Sequence, residues 1–297
     1  MFFWKKPKRH DFSYLANKIS SAPFSSDPFR HVYIADLFEP HHFRAIVHDP
    51  QIRLKAARND EELIDLLHEA AFKEISFPGT TTDLGAYLGW HRDRANSKVL
   101  NHDTCEGFGV TMRLQSAREN SVVEPLLAFL ASDSFWSALH DKFAIDRAAA
   151  YTDMGIQKYL DGYEISPHPD VRKKALTFMV NINPSTQSAA LDYHTHYMTF
   201  APARDYVREF WRDRPEIERC WVPWSWCETR KQQTKNNSMV IFAPGNDTLH
   251  AVRAAYNHLP TQRSQIYGNI WFKDVPMETA KWQDLPKGFE TIEPVSD

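Results

Sequence analysis

Two histidines and one aspartate are the residues whose types and spacing could bind a metal. A single residue separates His168 from Asp170. Residues two apart on an extended strand point to the same side, so this pair could direct an imidazole nitrogen and a carboxylate oxygen at one point. His250 follows the apolar run Met239–Phe242 by eight residues and could add a second imidazole from another strand. Two nitrogens and one carboxylate on one face of a metal leave its opposite face open, which is the arrangement of non-haem Fe(II) oxygenases.

The His-x-Asp spacing occurs a second time, at His91 and Asp93. This second pair lies in a segment, residues 78–105, that is rich in Thr, Gly, Asp and Asn and is predicted to be mostly loop. It is not followed at a suitable distance by an apolar strand that carries a histidine and then an arginine. We therefore interpret His91 and Asp93 as a surface or capping feature and not as metal ligands.

The second half of the chain contains the elements that must position the ligands. Short apolar runs bounded by turn residues predict β-strands. A helix near Ala203–Arg214 interrupts the runs, and the aromatic segment Cys220–Cys227 is predicted to be a further strand. The other predicted strands are Gly155–Leu160, Leu176–Ile182, Tyr193–Phe200, Met239–Phe242 and Ser264–Phe272.

The first half is predicted to be mainly helical. A strand at His31–Phe38 precedes a helix at Glu39–Val47. A clearer helix opens at Asp60 with acidic residues in its first turn. Two amphipathic helices, near 121–131 and 133–143, are separated at Ser132, which is a typical N-cap residue. Helices followed by strands predict an α+β fold in which helices brace one side of a β-sandwich or barrel.

The order of motifs resembles the Fe(II)/2-oxoglutarate-dependent oxygenase superfamily, and within it the prolyl-4-hydroxylase-like branch. Tyr159-x-x-Gly-x-x-x-x-Pro-His168-x-Asp170 is followed, after a longer excursion, by Phe-x7-His250-x-Val and by Arg263 thirteen residues later. The resemblance covers residues 150–273. It implies a double-stranded β-helix, or jelly roll, in which His168, Asp170 and His250 bind Fe(II). It also implies that 2-oxoglutarate and O₂ are cosubstrates.

The same resemblance assigns Arg263 to the far carboxylate of 2-oxoglutarate and lets Tyr159 hydrogen-bond the cosubstrate. A fork-shaped, permanently charged guanidinium suits a carboxylate in a water-poor cavity. Alternation in the last strand places Arg263, Gln265, Tyr267 and Asn269 on one face, with Ile266, Ile270 and Phe272 on the other. Gln265 departs from the Ser or Thr that many members carry two residues after the arginine.

Two further groups are candidates for substrate contacts. Arg172, Lys173 and Lys174 directly follow the ligand pair, and three cations at the mouth of a barrel would attract an anionic substrate. His194 and His196 share one strand face and resemble half of a cupin metal motif. The glutamate of that motif does not follow at the usual short distance, so these two histidines are interpreted as lining the substrate cavity.

Composition excludes several classes of protein. The chain has 297 residues, of which 42% are hydrophobic and 25% charged, as in a folded globular protein. A net charge of -3 argues against a dedicated nucleic-acid binder. Three cysteines without a CxxC pair indicate a reducing compartment, so we expect a cytoplasmic protein. No apolar run is long enough for a transmembrane helix. The aromatic and then basic N-terminus allows peripheral contact with a membrane surface.

These observations predict one integrated domain with a helical N-terminal region (1–150), a β-helix catalytic core (151–275) and a C-terminal tail (276–297). The predicted activity is an Fe(II)- and 2-oxoglutarate-dependent dioxygenase that hydroxylates an unactivated C–H bond of an anionic small molecule or saccharide. A hydroxylase of the acidic lipopolysaccharide sugar Kdo is one relative of that kind. Two alternatives are a protein prolyl or aspartyl hydroxylase and a non-enzymatic jelly roll that binds a ligand.

Overall fold

The computed structural model describes residues 10–76, 81–92, 109–217 and 220–274. Its helices are α1 (Tyr14–Ser21), α2 (Pro40–His48), α3 (Asp60–Glu69), α4 (Leu84–Arg92), α5 (Val123–Leu130), α6 (Asp133–Phe143), α7 (Tyr206–Arg212) and α8 (His258–Thr261). Its strands are β1 (Phe24–Ser25), β2 (His31–Ala35), β3 (Phe72–Glu74), β4 (Thr111–Leu114), β5 (Ala150–Tyr159), β6 (Ile165–Pro169), β7 (Lys174–Asn181), β8 (His196–Phe200), β9 (Cys227–Gln232), β10 (Ser238–Phe242), β11 (Leu249–Val252) and β12 (Ser264–Phe272).

The strands form two antiparallel sheets. The larger sheet has the order β1-β2-β10-β7-β12-β5-β4-β3, and the smaller one has the order β6-β11-β8-β9. Consecutive strands from β5 to β8 alternate between the two sheets, so the chain crosses from one sheet to the other at nearly every connection. The N-terminal region is not purely helical, because it supplies β1 to β4 to the larger sheet. The protein is thus a mixed helix and antiparallel-sheet fold, as the sequence predicts.

Alternation along the central strands separates an apolar face from a polar one. On β12, Ile266 and Ile270 pack into the main hydrophobic core with the helices, together with Phe178 of β7. Tyr267 lies in a different cluster, and Gln265 and Asn269 are buried polar residues. The predicted two-faced character of the last strand is confirmed, although Phe272 at its end is 39% exposed.

The helices of this layer begin at defined N-terminal caps, of which the sequence predicts Ser132. Ser132 accepts a hydrogen bond from the backbone N–H of Phe135 and begins α6, which confirms the predicted break between α5 and α6. In the same way, Asn59 accepts from the N–H of Glu62 and begins α3. Pro40 occupies the first turn of α2, where its missing N–H costs no helical hydrogen bond. The buried faces of these helices meet the larger sheet, so they brace one side of it.

A second layer covers the outside of the smaller sheet. Val207 and Trp211 of α7 pack with Trp224 against Leu249 of β11, in a cluster separate from the main core. The prediction of a strand at Cys220–Cys227 is wrong. Trp224–Trp226 instead forms a 3-10 turn, because its aromatic side chains fill this layer and do not alternate across a sheet.

The sequence also misses α1, β9 and α4. Helix α4 lies within residues 78–105, which were predicted to be mostly loop, and this prediction is wrong for Leu84–Arg92. The glycine and aspartate content of this segment favoured a loop prediction, but Tyr87 of α4 is fully buried in the core. No helix among the described residues is both long and apolar enough to cross a bilayer. The first nine residues, Cys105, Asp93 and the predicted tail 276–297 lie outside the described residues.

Candidate active site

The three predicted metal ligands lie together inside the protein. His168 on β6 and His250 on β11 are direct partners in the antiparallel register of the smaller sheet, and their ring centroids are 4.3 Å apart. Asp170 follows β6 by one residue. One ligand atom from each of the three side chains lies within 4.8 Å of the others, and all three side chains are buried. Strand pairing therefore brings together His168 and His250, which are 82 positions apart in the chain.

Both imidazoles are oriented by backbone carbonyls. The Nδ1 atom of His168 lies 2.8 Å from the carbonyl oxygen of Ser166, and Nδ1 of His250 lies 2.9 Å from that of Thr248. A carbonyl can only accept, so each Nδ1 carries the proton and each Nε2 keeps a lone pair. The Nε2 atoms of His168 and His250 lie 3.8 Å and 3.9 Å from the two carboxylate oxygens of Asp170. Such outer hydrogen bonds fix the tautomer of metal-binding histidines.

The carboxylate of Asp170 is held on both oxygens. Lys174 donates from Nζ to Oδ1 at 2.6 Å, and Thr177 donates from Oγ1 to Oδ2 at 2.5 Å. Burial alone would raise the pKa of Asp170, but Lys174 and the two histidines outweigh it, so its pKa lies below its ordinary value. The aspartate is therefore ionised and offers a negative charge to a cation.

The histidines are held in the form that binds metal. Burial, helped by the neighbouring His250, lowers the pKa of His168 to about 3, and burial also lowers the pKa of His250. Neutral imidazoles and one ionised carboxylate are the donors that a divalent non-haem metal requires. The donor set and its hydrogen bonding thus fit Fe(II).

A second group of possible metal ligands lies at the start of α2. Glu39, His41 and His42 also have ligand atoms within 4.8 Å of one another, but Glu39 and His41 are exposed. His42 shares a hydrogen bond of 3.0 Å with the hydroxyl of Tyr14. This surface group lacks the carbonyl-fixed orientation of the buried site.

A small cavity of about 30 Å³ adjoins the buried ligands. It has apolar walls with a few polar groups, which is typical of sites for small ligands. Its lining residues are Tyr159, Tyr163, Ile165, His168, Met179, Thr195, His250, Val252, Arg263, Gln265 and Tyr267.

Arg263 brings an unpaired charge to this cavity. Its side chain is only 1% exposed, and within the described part of the chain its Nε and Nη1 atoms have no hydrogen-bond partner. Nη2 lies 3.4 Å from the amide oxygen of Gln265, and the guanidinium carbon lies 4.3 Å from the ring centroid of Tyr159. A buried cation without an acidic partner is costly, because neither water nor a counter-charge stabilises it. An anionic group in this cavity would supply the missing partner.

Tyr159 lies in the same cavity, as the resemblance predicts, but its hydroxyl donates to the amide oxygen of Gln157 at 3.0 Å. Its ring also covers the guanidinium of Arg263. The structure therefore gives Tyr159 a direct role in holding Arg263. Its hydrogen bond to a cosubstrate stays a prediction.

The basic run after Asp170 is not a row of free cations at the rim, and this interpretation is corrected. Arg172 donates to the backbone carbonyls of Ile217, Trp211 and Arg214. Its guanidinium also stacks on the ring of Trp211. Lys174 is buried against Asp170, and Lys173 is half-buried. The side chains of Arg172 and Lys174 both turn towards the protein near the start of β7. Arg172 thereby contacts the backbone of the outer layer, and Lys174 contacts the carboxylate of Asp170.

His194 and His196 are buried but do not line the cavity. His194 hydrogen-bonds through Nε2 to the carbonyl oxygen of Ser188 at 2.6 Å. His196 is 3.0 Å from the hydroxyl of Thr229 on the neighbouring strand β9. Thr195, between them, points to the cavity instead. A contact of His194 and His196 with a substrate stays a prediction.

Several site residues were missed by the sequence. The contact of Thr177 on β7 with Asp170 was not predicted, and Lys174 was predicted as a cation at the rim and not as a partner of Asp170. Met179 and Tyr163 carry no local sequence signal. His91 lies on α4 and not in a loop. The side chain of His91 and the whole of Asp93 lie outside the described residues. The interpretation of this pair as a surface or capping feature therefore stays a prediction.

Comparison with known proteins gives structural neighbours only. No family model matches the chain, and no curated protein matches it. A prolyl-4-hydroxylase from Pseudomonas putida is 11% identical with a TM-score of 0.37, over 89% of this chain and 100% of that one. A 2OG-Fe(II) oxygenase from Burkholderia pseudomallei is 11% identical with a TM-score of 0.31, over 76% of this chain and 97% of that one. EctD from S. alaskensis, solved with 2-oxoglutarate and 5-hydroxyectoine, is 10% identical with a TM-score of 0.30, over 89% of this chain and 92% of that one.

Proposed function

We propose that the protein is an Fe(II)- and 2-oxoglutarate-dependent dioxygenase that hydroxylates an unactivated C–H bond. One observation carries this proposal: the buried donors His168 and His250 line the same cavity as Arg263, whose Nε and Nη1 have no partner among the described residues. The third donor, Asp170, lies beside the two histidines, with its ligand atom within 4.8 Å of theirs. A metal site alone would need only the donors. The arginine adds a place for the distant carboxylate of a dicarboxylic acid that chelates the metal at its other end.

Each residue has a definite task in this proposal. His168, Asp170 and His250 would hold Fe(II), and Arg263 would bind the far carboxylate of 2-oxoglutarate by charge-assisted hydrogen bonds. When bound, the metal and 2-oxoglutarate together supply the activation of O₂. Burial of the donors and the apolar walls of the cavity exclude bulk water, which strengthens every charge interaction inside.

The strand order supports a jelly roll as the framework. β5, β7, β10 and β12 are neighbours in the larger sheet, and β6, β8, β9 and β11 make up the smaller one. Two facing antiparallel sheets of four strands each, joined by crossing connections, are the elements of a double-sheet jelly roll. In this framework the metal ligands come from the smaller sheet and Arg263 from the start of β12.

We propose a small molecule or a saccharide as the acceptor, with a protein side chain as the alternative. The anionic acceptor that the sequence suggested no longer follows from the basic run, since Arg172 and Lys174 bind groups of the protein itself. A non-enzymatic binding protein is disfavoured, because a binding module has no need of both the three donors and Arg263. A cytoplasmic location stays a prediction.

Alanine variants of the three ligands test the proposal. We expect His168→Ala, Asp170→Ala and His250→Ala each to abolish tight anaerobic Fe(II) binding and the conversion of 2-oxoglutarate to succinate. His196→Ala is the matched control, because it removes a buried histidine from β8 that does not line the cavity. His91→Ala is a second control for the other His-x-Asp pair. Thermal unfolding would show that each variant is folded, and turnover retained in any two ligand variants would mean that the metal lies elsewhere.

A further inference from the structure

Lys174 is a buried lysine whose charge is directed at a metal ligand. Its side chain is 5% exposed, and Nζ donates to Oδ1 of Asp170 at 2.6 Å and to the hydroxyl of Tyr267 at 2.9 Å. The ammonium also lies 5.5 Å and 5.4 Å from the ring centroids of Tyr267 and Trp271. Lysine is almost never fully buried unless it is paired. The fold therefore commits a desolvated cation to the one carboxylate of the metal site.

Thr177 provides a useful contrast on the same strand. It donates to the other oxygen of Asp170 and so fixes the carboxylate without adding charge. Hydrogen bonding alone would already orient Asp170 through Thr177. The ammonium of Lys174 adds something different, namely a positive charge in direct contact with the anion that the metal uses.

A metal and Lys174 must share the charge of Asp170. Both cations lie within a few ångströms of the same carboxylate, in a region that water does not screen, so they repel each other. The ammonium therefore opposes metal binding. It also leaves the bound dication less neutralised, and this favours binding of an anionic chelating ligand at the open face.

We propose that Lys174 is a positioning residue that offsets the charge of Asp170 and thereby shifts binding free energy from the metal to the anionic cosubstrate. This inference rests on the proposed function, since it requires that the site bind a metal and 2-oxoglutarate. It goes beyond that function because it proposes that Lys174 sets the affinity for the metal relative to the affinity for 2-oxoglutarate. Couplings between neighbouring binding sites are typically 5-fold to 150-fold.

The test uses the full-length protein and Mn(II), which is stable in air, as the probe. Isothermal titration gives the Kd for Mn(II) and then the Kd of the Mn(II)-loaded protein for 2-oxoglutarate. We expect Lys174→Met and Lys174→Gln to bind Mn(II) about tenfold more tightly and 2-oxoglutarate about tenfold more weakly than the wild type. Gln keeps a hydrogen-bond donor without the charge, and Lys174→Arg keeps the charge and should stay close to the wild type in both constants.

Thr177→Val is the matched control, because it removes the uncharged hydrogen bond to Asp170. It should not tighten Mn(II) binding. A second readout is thermal unfolding: the metal-free Lys174→Met protein should melt below the wild type, and Mn(II) should raise its melting temperature by more. Loss of stability without any change in the Mn(II) constant would show a purely structural lysine and overturn the inference.

The possible failures are distinguishable. Wild-type protein that binds no Mn(II) would refute the proposed function itself. Wild-type binding with Lys174→Gln equal to the wild type in both constants, or with Lys174→Arg changed as much as Lys174→Met, would refute only the role of Lys174.

Discussion

Replacing Arg263 by methionine should separate ligand binding from folding. The wild-type guanidinium is fully buried and leaves Nε and Nη1 without partners in the described part of the chain. Methionine fills much of the same space without a charge. Removing a buried and uncompensated cation should therefore not destabilise the ligand-free protein, and the free energy of unfolding should stay the same or rise by about 1–4 kcal/mol.

Binding of 2-oxoglutarate should change in the opposite direction. A charge-assisted pair in a desolvated site contributes about 2–5 kcal/mol when one partner is removed. Because 1.36 kcal/mol corresponds to a tenfold change, the Kd for 2-oxoglutarate should rise about 30-fold or more. The Kd for Mn(II) should stay near the wild-type value, since Arg263 contributes no metal ligand.

Isothermal titration of 2-oxoglutarate into the Mn(II)-loaded protein is the assay, with thermal unfolding of the ligand-free protein alongside. Arg172→Met is the matched control, because this arginine stacks on Trp211 outside the cavity. It should lower stability and leave 2-oxoglutarate affinity unchanged. An unchanged 2-oxoglutarate Kd in Arg263→Met would refute the reasoning.

Further expectations concern the framework of the site. Burial lowers the pKa of Lys158 to about 7, while an unfolded lysine titrates near 10.5. The unfolded chain therefore binds one more proton between those values, and the free energy of unfolding should rise with pH by about 1.4 kcal/mol per unit from this group between pH 7 and 10. Denaturant unfolding at several pH values should show that Lys158→Met removes this slope, and an unchanged slope would contradict the assignment. In Gly268→Ala the new Cβ would lie 2.4 Å from two ring atoms of Phe178, so the variant should lose about 1–3 kcal/mol of stability in the same assay. Gly89→Ala in α4 meets no atom within 4 Å and should instead gain up to about 1 kcal/mol; equal effects of the two alanines would show that the close approach to Phe178 is not real.

The cluster of His168, Asp170 and His250 could be predicted because the order of the surrounding motifs supported the His-x-Asp spacing. His168 and Asp170 lie at a spacing that only an extended segment turns into a chelating pair, and His250 follows the apolar run Met239–Phe242 by eight residues. The alternation of β12 likewise predicts which residues face inward, because the period of a strand is two whatever its partners are. These parts needed no knowledge of tertiary contacts.

The basic run could not be interpreted from its charge alone. Arg172, Lys173 and Lys174 are consecutive, and charge and position suggested a solvated rim. The structure separates them, because Arg172 caps backbone carbonyls of the outer layer while the first residue of β7, Lys174, turns inward to Asp170. Burial of a lysine depends on what the neighbouring strands bring to it, and a single sequence does not contain that information.

The predictions of a loop at α4 and of a strand at Cys220–Cys227 were wrong for a related reason. The intrinsic preference of glycine, aspartate and tryptophan is weak compared with tertiary packing. Tyr87 stabilises α4 from a fully buried position, and Trp224 donates to the carboxylate of Glu164 at 2.9 Å. Long-range partners of this kind decide the local structure in both places.

One measurement tests the central claim most directly. Purified protein is mixed anaerobically with Fe(II) and then with 2-oxoglutarate, and the visible absorption spectrum is recorded. Chelation of Fe(II) by a 2-oxo acid should give a weak charge-transfer band that saturates at one Fe(II) and one 2-oxoglutarate per chain, and that is absent in His250→Ala. A wild-type protein that shows no band at saturating Fe(II) and 2-oxoglutarate, or the same band in His250→Ala, would contradict the proposal that His168, Asp170, His250 and Arg263 form an Fe(II)/2-oxoglutarate site.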